Sequence, residues 1–313
     1  MYSRPLVSIL INNYNYERFL REAIDSASLQ TYSPVEVVVV DDGSRDNSRE
    51  LITSYGERIV SVFKQNGGQA SAFNAGFAAS LGEIVCFLDA DDYCAANKVT
   101  QIVDLFSQNP QAGWVFHELN DVDANGNFLA VQKQAVAENI FVDLRGQLVK
   151  GQNLPYFPAT SGLCFKRDVL KQFLPMPEEL LISADNFLRL AAVYTSPGWL
   201  AADQLAVHRM HGSNLFELRA DSAFLHAETN IKTSYYLRRQ FPETKVFTNK
   251  LYAHSFGRLA GKTNFNRVFQ IPESKEYMRD YLSFDSWLTC APRMAYNYVL
   301  QAIAGLNSKV KRA

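Results

Sequence analysis

The first third of this 313-residue chain predicts an α/β fold with a mostly parallel sheet flanked by helices. Short β-favouring apolar runs alternate there with segments whose apolar residues recur at helical spacing. The turns between them are rich in glycine, asparagine and aspartate. Beyond residue 215 only helical spacing is found, so we expect a helical C-terminal extension after the sheet domain.

Four runs are predicted as strands, at residues 7–11, 35–40, 59–63 and 84–88. Three segments between them are predicted as helices: one carries Phe19 to Ala27, one carries Leu51 and Ile52, and one covers residues 70–80. This βαβαβαβ order implies parallel strands, whose carboxyl ends share one edge of the sheet. Ligands of such folds bind at that edge.

A polar cluster follows each predicted strand, at residues 12–15, 41–42, 64–69 and 89–92. Each cluster alone has a structural interpretation: Asn15 suits a helix cap, and the others suit turns or a flexible glycine loop. In the last cluster, Asp89, Asp91 and Asp92 place three carboxylates within four positions. Such a cluster is typical either of an exposed turn or of a divalent cation shared with a phosphate. The convergence of all four clusters favours a ligand site.

Composition excludes several other classes of protein. The 31 basic residues balance 32 acidic ones, so no strong positive field indicates nucleic acid. The 4 cysteines are scattered without paired spacing, which argues against a zinc site or a disulfide framework. The N-terminus resembles neither a signal nor a transit peptide, and no apolar run approaches a membrane span. We therefore expect a soluble cytoplasmic protein with reduced thiols.

Several stretches resemble family 2 glycosyltransferases. The N-terminal ones are VSILINNYNYERFLREAIDSASLQTY, VEVVVVDDGSRDNS and NGGQASAFNAGFAASLGEIVCFLDADDY, and SGLCFKRDVL, SADNFLRL and VHRMHGSN resemble the acceptor-side segments. The resemblance implies the A-type (GT-A), Rossmann-like fold that binds nucleotide sugars. It implies a catalytic domain over residues 1–215, with its nucleotide-sugar half at about 5–110 and its acceptor half at 111–215, before a helical extension over 216–313.

The resemblance also implies the chemistry. Such an enzyme moves a sugar from a nucleotide-diphosphate sugar, by family precedent a UDP-sugar, to a saccharide or lipid-linked acceptor hydroxyl, and inverts the anomeric centre. A Mn²⁺ or Mg²⁺ ion held by carboxylate stabilises the charge that grows on the leaving diphosphate. A lipid-linked acceptor would place the enzyme at the inner face of the cell membrane. The identities of the sugar and of the acceptor stay open, and so does the nucleotide, since GDP and dTDP donors are alternatives to UDP.

The family pattern assigns the donor site residue by residue, to Asn12, Tyr14, Asp41, Gly68, Asn74, Asp89 and Ala90. Asp41 would accept a hydrogen bond from the base, Asp89 would lie near the ribose, and Asp91 and His211 would bind the metal. Asp92 suits a second ligand or a cap, Tyr14 stacking or packing, and Asn74 a sugar-phosphate contact or a loop cap. His211 is favoured over His208.

Asp185 is the implied catalytic base, because it occupies the aspartate of the family's Glu-Asp-x-x-Leu segment, with Leu188 in register. Ala184 departs from that pattern, since it replaces the usual glutamate. Asp185 also suits a helix cap, which is compatible with catalysis. Ala184 admits a rival of another class, a catalytically silent nucleotide-sugar-binding protein. The stretch VVVVDDG also resembles the acidic pocket of a phosphoacceptor signalling domain. Such a domain would have its acidic pair after the first strand and would be a single small domain, and this chain fits neither requirement.

The last segment of the chain, RMAYNYVLQAIAGLNSKVKRA, has two interpretations. Apolar residues at helical spacing with basic neighbours usually indicate a core-facing helix, which is the favoured interpretation. The alternative is peripheral contact with a membrane surface, because Met294, Tyr298, Ile303 and Leu306 precede Lys309, Lys311 and Arg312. Membrane contact would suit a lipid-linked acceptor.

Overall fold

The computed structural model of the chain describes residues 4–129, 136–212 and 221–310. They group into two compact units. The first comprises residues 1–145, 155–181 and 188–214, and the second comprises 146–154, 182–187 and 215–313. The predicted domain boundary at residue 215 lies outside the described residues.

The strands of the structure all belong to the first unit. They are β1 (Val7–Asn13), β2 (Val35–Asp41), β3 (Val60–Phe63), β4 (Ile84–Asp89), β5 (Tyr93–Cys94), β6 (Trp114–Asp123), β7 (Ile140–Val142), β8 (Leu163–Lys166) and β9 (Gly198–Met210). The sheet order is β3-β2-β1-β4-β8-β6-β9-β5, and β7 pairs with β9. The four N-terminal strands pair with one another in parallel, whereas β8 runs antiparallel to β4 and β6. The predicted α/β fold is confirmed, with antiparallel pairs entering beyond β4.

The helices, in chain order, are α1 (Glu17–Ser28), α2 (Ser48–Thr53), α3 (Gln69–Ala79), α4 (Lys98–Gln108), α5 (Arg145–Val149), α6 (Arg167–Leu170), α7 (Asp185–Thr195), α8 (Ser222–Gln240), α9 (Lys245–Lys262), α10 (Phe265–Phe269), α11 (Pro272–Tyr281) and α12 (Phe284–Val310). The predicted strands and helices of the first third are confirmed to within two residues at each end, save that α2 had no predicted bounds.

The core of the first unit explains why these segments form its sheet and its covering helices. Ile9, Val39 and Cys86 are fully buried, as expected for central strands covered on both faces. The five apolar residues predicted on α1 are the ones that it buries. Gly76 lets α3 approach the sheet closely, because a Cβ atom there would lie 3.1 Å from Val40. The polar strand ends are thereby held on a rigid scaffold.

The interpretation of Asn15 as a helix cap is wrong. The N-cap of α1 is Tyr16, and Asn15 adopts a left-handed backbone conformation with φ 60°. Its Oδ1 instead accepts from the backbone N–H of Arg45 at 2.7 Å. Asparagine tolerates this conformation better than other non-glycine residues. Asn15 therefore ties the end of β1 to the turn after β2.

The second unit is helical, as expected for the C-terminal extension. Tyr252 of α9 and Tyr277 of α11 are buried and stack with ring centroids 4.3 Å apart. α9 also packs tightly against α12, because a Cβ atom on Gly257 would lie 2.3 Å from the carbonyl oxygen of Met294. The core-facing interpretation is thus confirmed for one face of α12. No helix within the described residues is long and apolar enough to cross a membrane.

Candidate functional site

The carboxyl ends of β1, β2 and β4 bring three predicted donor-site residues to one edge of the sheet. In the strand register, Asn12 lies opposite Asp89, and its neighbour Asn13 lies opposite Asp41. The Nδ2 of Asn12 donates to Asp89 Oδ1 at 2.9 Å, and the Nδ2 of Asn13 donates to Asp41 Oδ1 at 3.1 Å. Ala90 follows Asp89 and is fully buried. Parallel pairing alone accounts for this meeting of residues far apart in sequence.

Asp41 is fully buried, and its carboxylate accepts hydrogen bonds from several donors. Besides Asn13, it accepts from the backbone N–H of Ser44 at 3.2 Å and from Arg49 Nε at 3.0 Å. A carboxylate offers about four lone-pair positions, and three are occupied here. A base could reach the fourth only if a covering side chain moved, because Asp41 has no exposed surface. The Arg49 side chain is 48% exposed, which makes it the solvent-facing partner of Asp41.

Asp42, which sequence reasoning did not single out, organises the glycine loop at residues 64–69. Its Oδ1 accepts from Lys64 Nζ at 2.5 Å and from the N–H of Gly67 at 2.9 Å, and its Oδ2 accepts from the N–H of Gly68 at 2.8 Å. Consecutive backbone N–H groups that converge on one carboxylate fix the course of such a loop. The two aspartates of the DDG motif therefore face different partners.

Both the backbone conformation and the surroundings of Gly68 disfavour any larger residue at this position. Its φ is 83°, and a Cβ atom would lie 2.9 Å from Leu181 Cα. Asn74, on the helix that follows, donates to the carbonyl of Met176 at 2.8 Å and accepts from its N–H at 2.9 Å. Both ends of the Asn74 amide are thus engaged with backbone. A contact from Asn74 to a sugar phosphate would require this pair to open.

The two predicted metal ligands lie side by side. Asp91 Oδ2 and His211 Nε2 are 3.1 Å apart, and both residues are 6% exposed. The ring of His211 packs against Phe19, with centroids 4.7 Å apart, and meets the edge of Tyr16 at 5.7 Å. This packing aims the imidazole at the carboxylate. The alternative histidine, His208, binds Asp121 at 2.9 Å instead.

The donor set at Asp91 and His211 suits Mn²⁺ or Mg²⁺. Within the described residues, no group of three or more His, Cys, Asp or Glu side chains could hold a metal. A catalytic Mg²⁺ site usually has only one or two protein carboxylates, the rest being water and substrate phosphate. An imidazole nitrogen is also accepted by first-row metals such as Mn²⁺. The pair therefore fits a cation that arrives with a diphosphate.

Asp92 faces the interior and does not serve as the helix cap suggested for it. Its carboxylate accepts from the hydroxyl of Ser161 at 2.5 Å and from the backbone N–H of Arg209 at 2.8 Å. It caps no helix, because α4 begins later, after Asn97. Burial raises the pKa of Asp92 to about 7, and the negative charge of Asp91 is the second cause of this shift. The third carboxylate of the cluster is thus a structural anchor.

Ser161 holds the same turn from the direction of β8. Its Oγ accepts from the N–H of Asp89 at 3.1 Å while donating to Asp92, and its carbonyl accepts from Lys98 Nζ at 2.8 Å. Ser161 and Lys98 are both fully buried. A buried ammonium needs such partners, because desolvation is costly. SGLCF belongs to a quoted stretch, yet nothing in that pattern singled out Ser161.

Arg209 holds the turn from the side of β9. Its Nε donates to the carbonyl of Asp91 at 3.0 Å, and its Nη2 pairs with Glu22 at 2.6 Å. The guanidinium lies over the rings of Phe19 and Tyr93, at 4.8 and 5.5 Å from their centroids. We call Ser161, Arg209 and Asp92 the turn clamp, because together they hold the backbone of residues 89–92. Sequence reasoning did not identify Arg209 as a residue of this site, because only the two histidines of VHRMH were considered as ligands.

Tyr14 and Asp185 are the two remaining predicted site residues. Tyr14 is half-buried, which suits either stacking or packing. Asp185 belongs to the second unit, lies in the first turn of α7 and is 8% exposed. Ser183 precedes it with φ 53°, a strained conformation for serine of a kind that clusters at functional sites. Ala184, the departure from the family pattern, is fully buried.

Comparisons with known proteins point to one family. A family model described as Glycosyl transferase family 2 matches residues 8–173, more than half of the chain. An uncharacterized glycosyltransferase of Nostoc sp. is 39% identical over 213 residues, 66% of each chain. The chondroitin synthase of Pasteurella multocida is 36% identical over 129 residues, which are 40% of this chain and 13% of that protein. An uncharacterized glycosyltransferase of Rickettsia typhi matches over 33% of its length.

Two solved structures share the fold at low sequence identity. S. aureus TarS 1-349 in complex with UDP-GlcNAc has a TM-score of 0.63 at 16% identity, and the match covers 96% of this chain and 92% of that one. The mannosyltransferase PcManGT of Pyrobaculum calidifontis, in complex with GDP-Man and Mn²⁺, has a TM-score of 0.52 at 18% identity, with 97% and 87% covered.

Proposed function

Because this chain belongs to glycosyltransferase family 2 and is therefore a glycosyltransferase, we propose that it is a metal-dependent, inverting one. Its donor is a nucleotide-diphosphate sugar, and a UDP-sugar is the first candidate. The acceptor is the hydroxyl of a saccharide or of a lipid-linked glycan. The enzyme acts in the cytoplasm, and with a lipid-linked acceptor it acts at the inner face of the cell membrane.

The pairing of Asp91 with His211, beside the edge where Asn12 meets Asp89, is the observation that carries this proposal. Asp91 and His211 would hold a Mn²⁺ or Mg²⁺ ion, which would offset the charge that grows on the leaving diphosphate. The same kind of chemistry needs few protein ligands, since phosphate oxygens supply the others. The Mn²⁺ in the PcManGT structure is in keeping with this proposal.

The donor would lie along the same strand ends. Asp41 accepts from the base, Tyr14 stacks beside it, and Asp89, oriented by Asn12, contacts the ribose. Gly68, Asn74 and Ala90 complete the proposed donor set. UDP-GlcNAc and GDP-Man occur in the two fold neighbours, so a test of the donor has to include more than one nucleotide.

Asp185 is the proposed catalytic base, which removes the proton of the acceptor hydroxyl as that oxygen attacks the anomeric carbon. A positioned general base contributes about 10²- to 10⁴-fold to the rate. Direct attack with a single base gives inversion. The strained backbone of Ser183, two residues before Asp185, and the family resemblance of SADNFLRL support this assignment.

A donor titration and one substitution test the proposal. UDP and GDP binding is measured by calorimetry with and without Mn²⁺, and nucleotide release is then followed with a panel of sugar donors. Asp185→Asn keeps the shape of the side chain and removes its basicity, while Asp168→Asn alters an aspartate whose side chain is 89% exposed, as a control. We expect Asp185→Asn to bind donor normally and to lose at least about 10² in turnover, and the control to match the parent.

Near-parental turnover in Asp185→Asn would reject this residue as the base. Tight, Mn²⁺-dependent UDP binding without turnover of any donor in the parent would favour the silent nucleotide-sugar-binding protein that Ala184 admits. Binding that is indifferent to Mn²⁺ would contradict the metal assignment.

A further inference from the structure

The short segment that carries Asp185 is held on both sides by α8. Before Asp185, the carbonyl of Ile182 accepts from the hydroxyl of Thr229 at 3.3 Å. After it, the Nδ2 of Asn186 donates to the Oδ1 of Asn230 at 2.7 Å. Thr229 and Asn230 are neighbours on α8, are 8% and 6% exposed, and belong to the second unit together with the segment. Two side-chain hydrogen bonds to one helix therefore bracket Asp185.

The backbone between these two hydrogen bonds is strained. Ser183 has φ 53°, a conformation that serine rarely adopts. Its carbonyl accepts from the N–H of Asn186 at 3.2 Å, so both residues belong to one turn. A strained conformation of this kind persists only when the surrounding structure holds it. The hydrogen bonds from α8 supply such a restraint, and Asp185 lies inside the restrained turn.

The side-chain amide of Asn230 is oriented by a second partner. Its Nδ2 donates to the Nδ1 of His226, one turn earlier on α8, at 3.0 Å. A neutral imidazole that accepts at Nδ1 carries its proton on Nε2, which fixes the tautomer of His226. Because Nδ2 of Asn230 is engaged in this way, its Oδ1 is the end that meets Asn186. The network therefore sets the direction of the hydrogen bond to α7.

We propose that Asn230 is a positioning residue for Asp185, acting through Asn186 and the strained turn. This inference rests on the proposed role of Asp185 as the catalytic base. A base works only within hydrogen-bond reach of the hydroxyl that it deprotonates, and a misplacement of about 1 Å costs up to about 10² in rate. Asn230 contacts no substrate itself and acts by fixing where the carboxylate of Asp185 lies.

Asn230→Leu tests the proposal, because leucine keeps the volume and removes both hydrogen bonds of the amide. Asn230→Ala, measured in parallel, removes the same bonds without a branched side chain. Asn230→Asp keeps an acceptor for Asn186 and is the rescue variant. The matched control is Asn249→Leu, since Asn249 is an asparagine of the same unit, 9% exposed, whose Oδ1 accepts from the hydroxyl of Tyr277 at 2.8 Å.

Hydrogen exchange of residues 182–187 is measured first, without any donor. We expect exchange there to become at least about tenfold faster in Asn230→Leu and to stay parental in Asn249→Leu. Turnover is then measured below the melting temperature of every variant. Asn230→Leu should lose at least about tenfold in kcat with unchanged KM and Kd for the donor, and Asn230→Asp should recover most of this loss. In an Asp185→Asn background, Asn230→Leu should cost less than about twofold, because the base that it positions is already absent.

Parental exchange in both Asn230→Leu and Asn230→Ala would overturn the restraint by α8. An equal loss of kcat with and without Asp185, or an equal loss in Asn249→Leu, would overturn the positioning role. Failure of the proposed function gives different results: near-parental turnover in Asp185→Asn rejects the base and with it the positioning role, and a parent that turns over no donor rejects the transfer reaction. In both cases the exchange measurement still decides whether α8 holds the turn.

Discussion

Replacing Ser161 by alanine should loosen the turn that carries Asp89 and Asp91. The change removes only Oγ, which accepts from the Asp89 N–H at 3.1 Å and donates to the Asp92 carboxylate at 2.5 Å. A neutral buried hydrogen bond contributes about 1 kcal/mol and one to a charged group about 1.5–3 kcal/mol. Because the site is fully buried, water cannot replace the hydroxyl without rearrangement. We expect the free energy of unfolding to fall by about 2–4 kcal/mol.

Urea unfolding in the presence of EDTA measures this change without interference from metal. Ser196→Ala is the matched control, because Ser196 is a buried serine of the same unit whose hydroxyl has no hydrogen-bond partner among the residues that the structure describes. Its loss should cost less than about 1 kcal/mol. Ser161→Thr keeps a hydroxyl and should recover part of the stability. The same variants are then titrated with UDP and Mn²⁺, where a displaced Asp91 should weaken binding in Ser161→Ala and less so in Ser161→Thr.

Two results would refute this account of the turn clamp. If Ser161→Ala loses no more stability than Ser196→Ala, the hydroxyl does not hold the turn. If Ser161→Ala is destabilised but binds UDP and Mn²⁺ as the parent does, the clamp stabilises the fold without positioning Asp91.

Three further predictions concern single residues. Asp91→Asn should keep the parental melting temperature in EDTA and lose the Mn²⁺-dependent part of UDP binding in calorimetry; undiminished affinity would contradict the metal assignment. Gly68→Ala should destabilise the fold more than Gly126→Ala in urea unfolding, since both glycines have φ near 85° but only Gly68 faces Leu181, and equal losses would exclude that clash. Burial and, to a smaller extent, the positive charge of Lys98 lower the pKa of His117, so the unfolded state binds more protons and stability is lost as pH falls below about 6.5. His117→Gln should therefore make the free energy of unfolding less dependent on pH in this range. An unchanged slope would exclude His117 as the source of the pH dependence.

The order of strands and helices in the first third, and the edge at which the site lies, were predictable from sequence. Apolar periodicity and turn residues are local signals, and parallel connectivity then brings the ends of β1, β2 and β4 together. Asp91 and His211 were singled out as candidate metal ligands because they match motifs. Their proximity of 3.1 Å required the structure, since 120 residues separate them.

Only the tertiary structure decided which way the polar side chains of these motifs point. The DADD cluster looks uniform in sequence, yet Asp91 meets His211 while Asp92 turns inward to Ser161 and Arg209. The partners of Asp92 lie 69 and 117 residues away, and hydrogen-bond direction depends on their placement and not on the motif itself. The side-chain amide of Asn74 likewise donates a hydrogen bond to a backbone carbonyl 102 residues away in sequence. For α12, helical spacing predicted a core-facing helix, but only packing against α9 decided which apolar face is left exposed, because periodicity locates faces and cannot say what covers them.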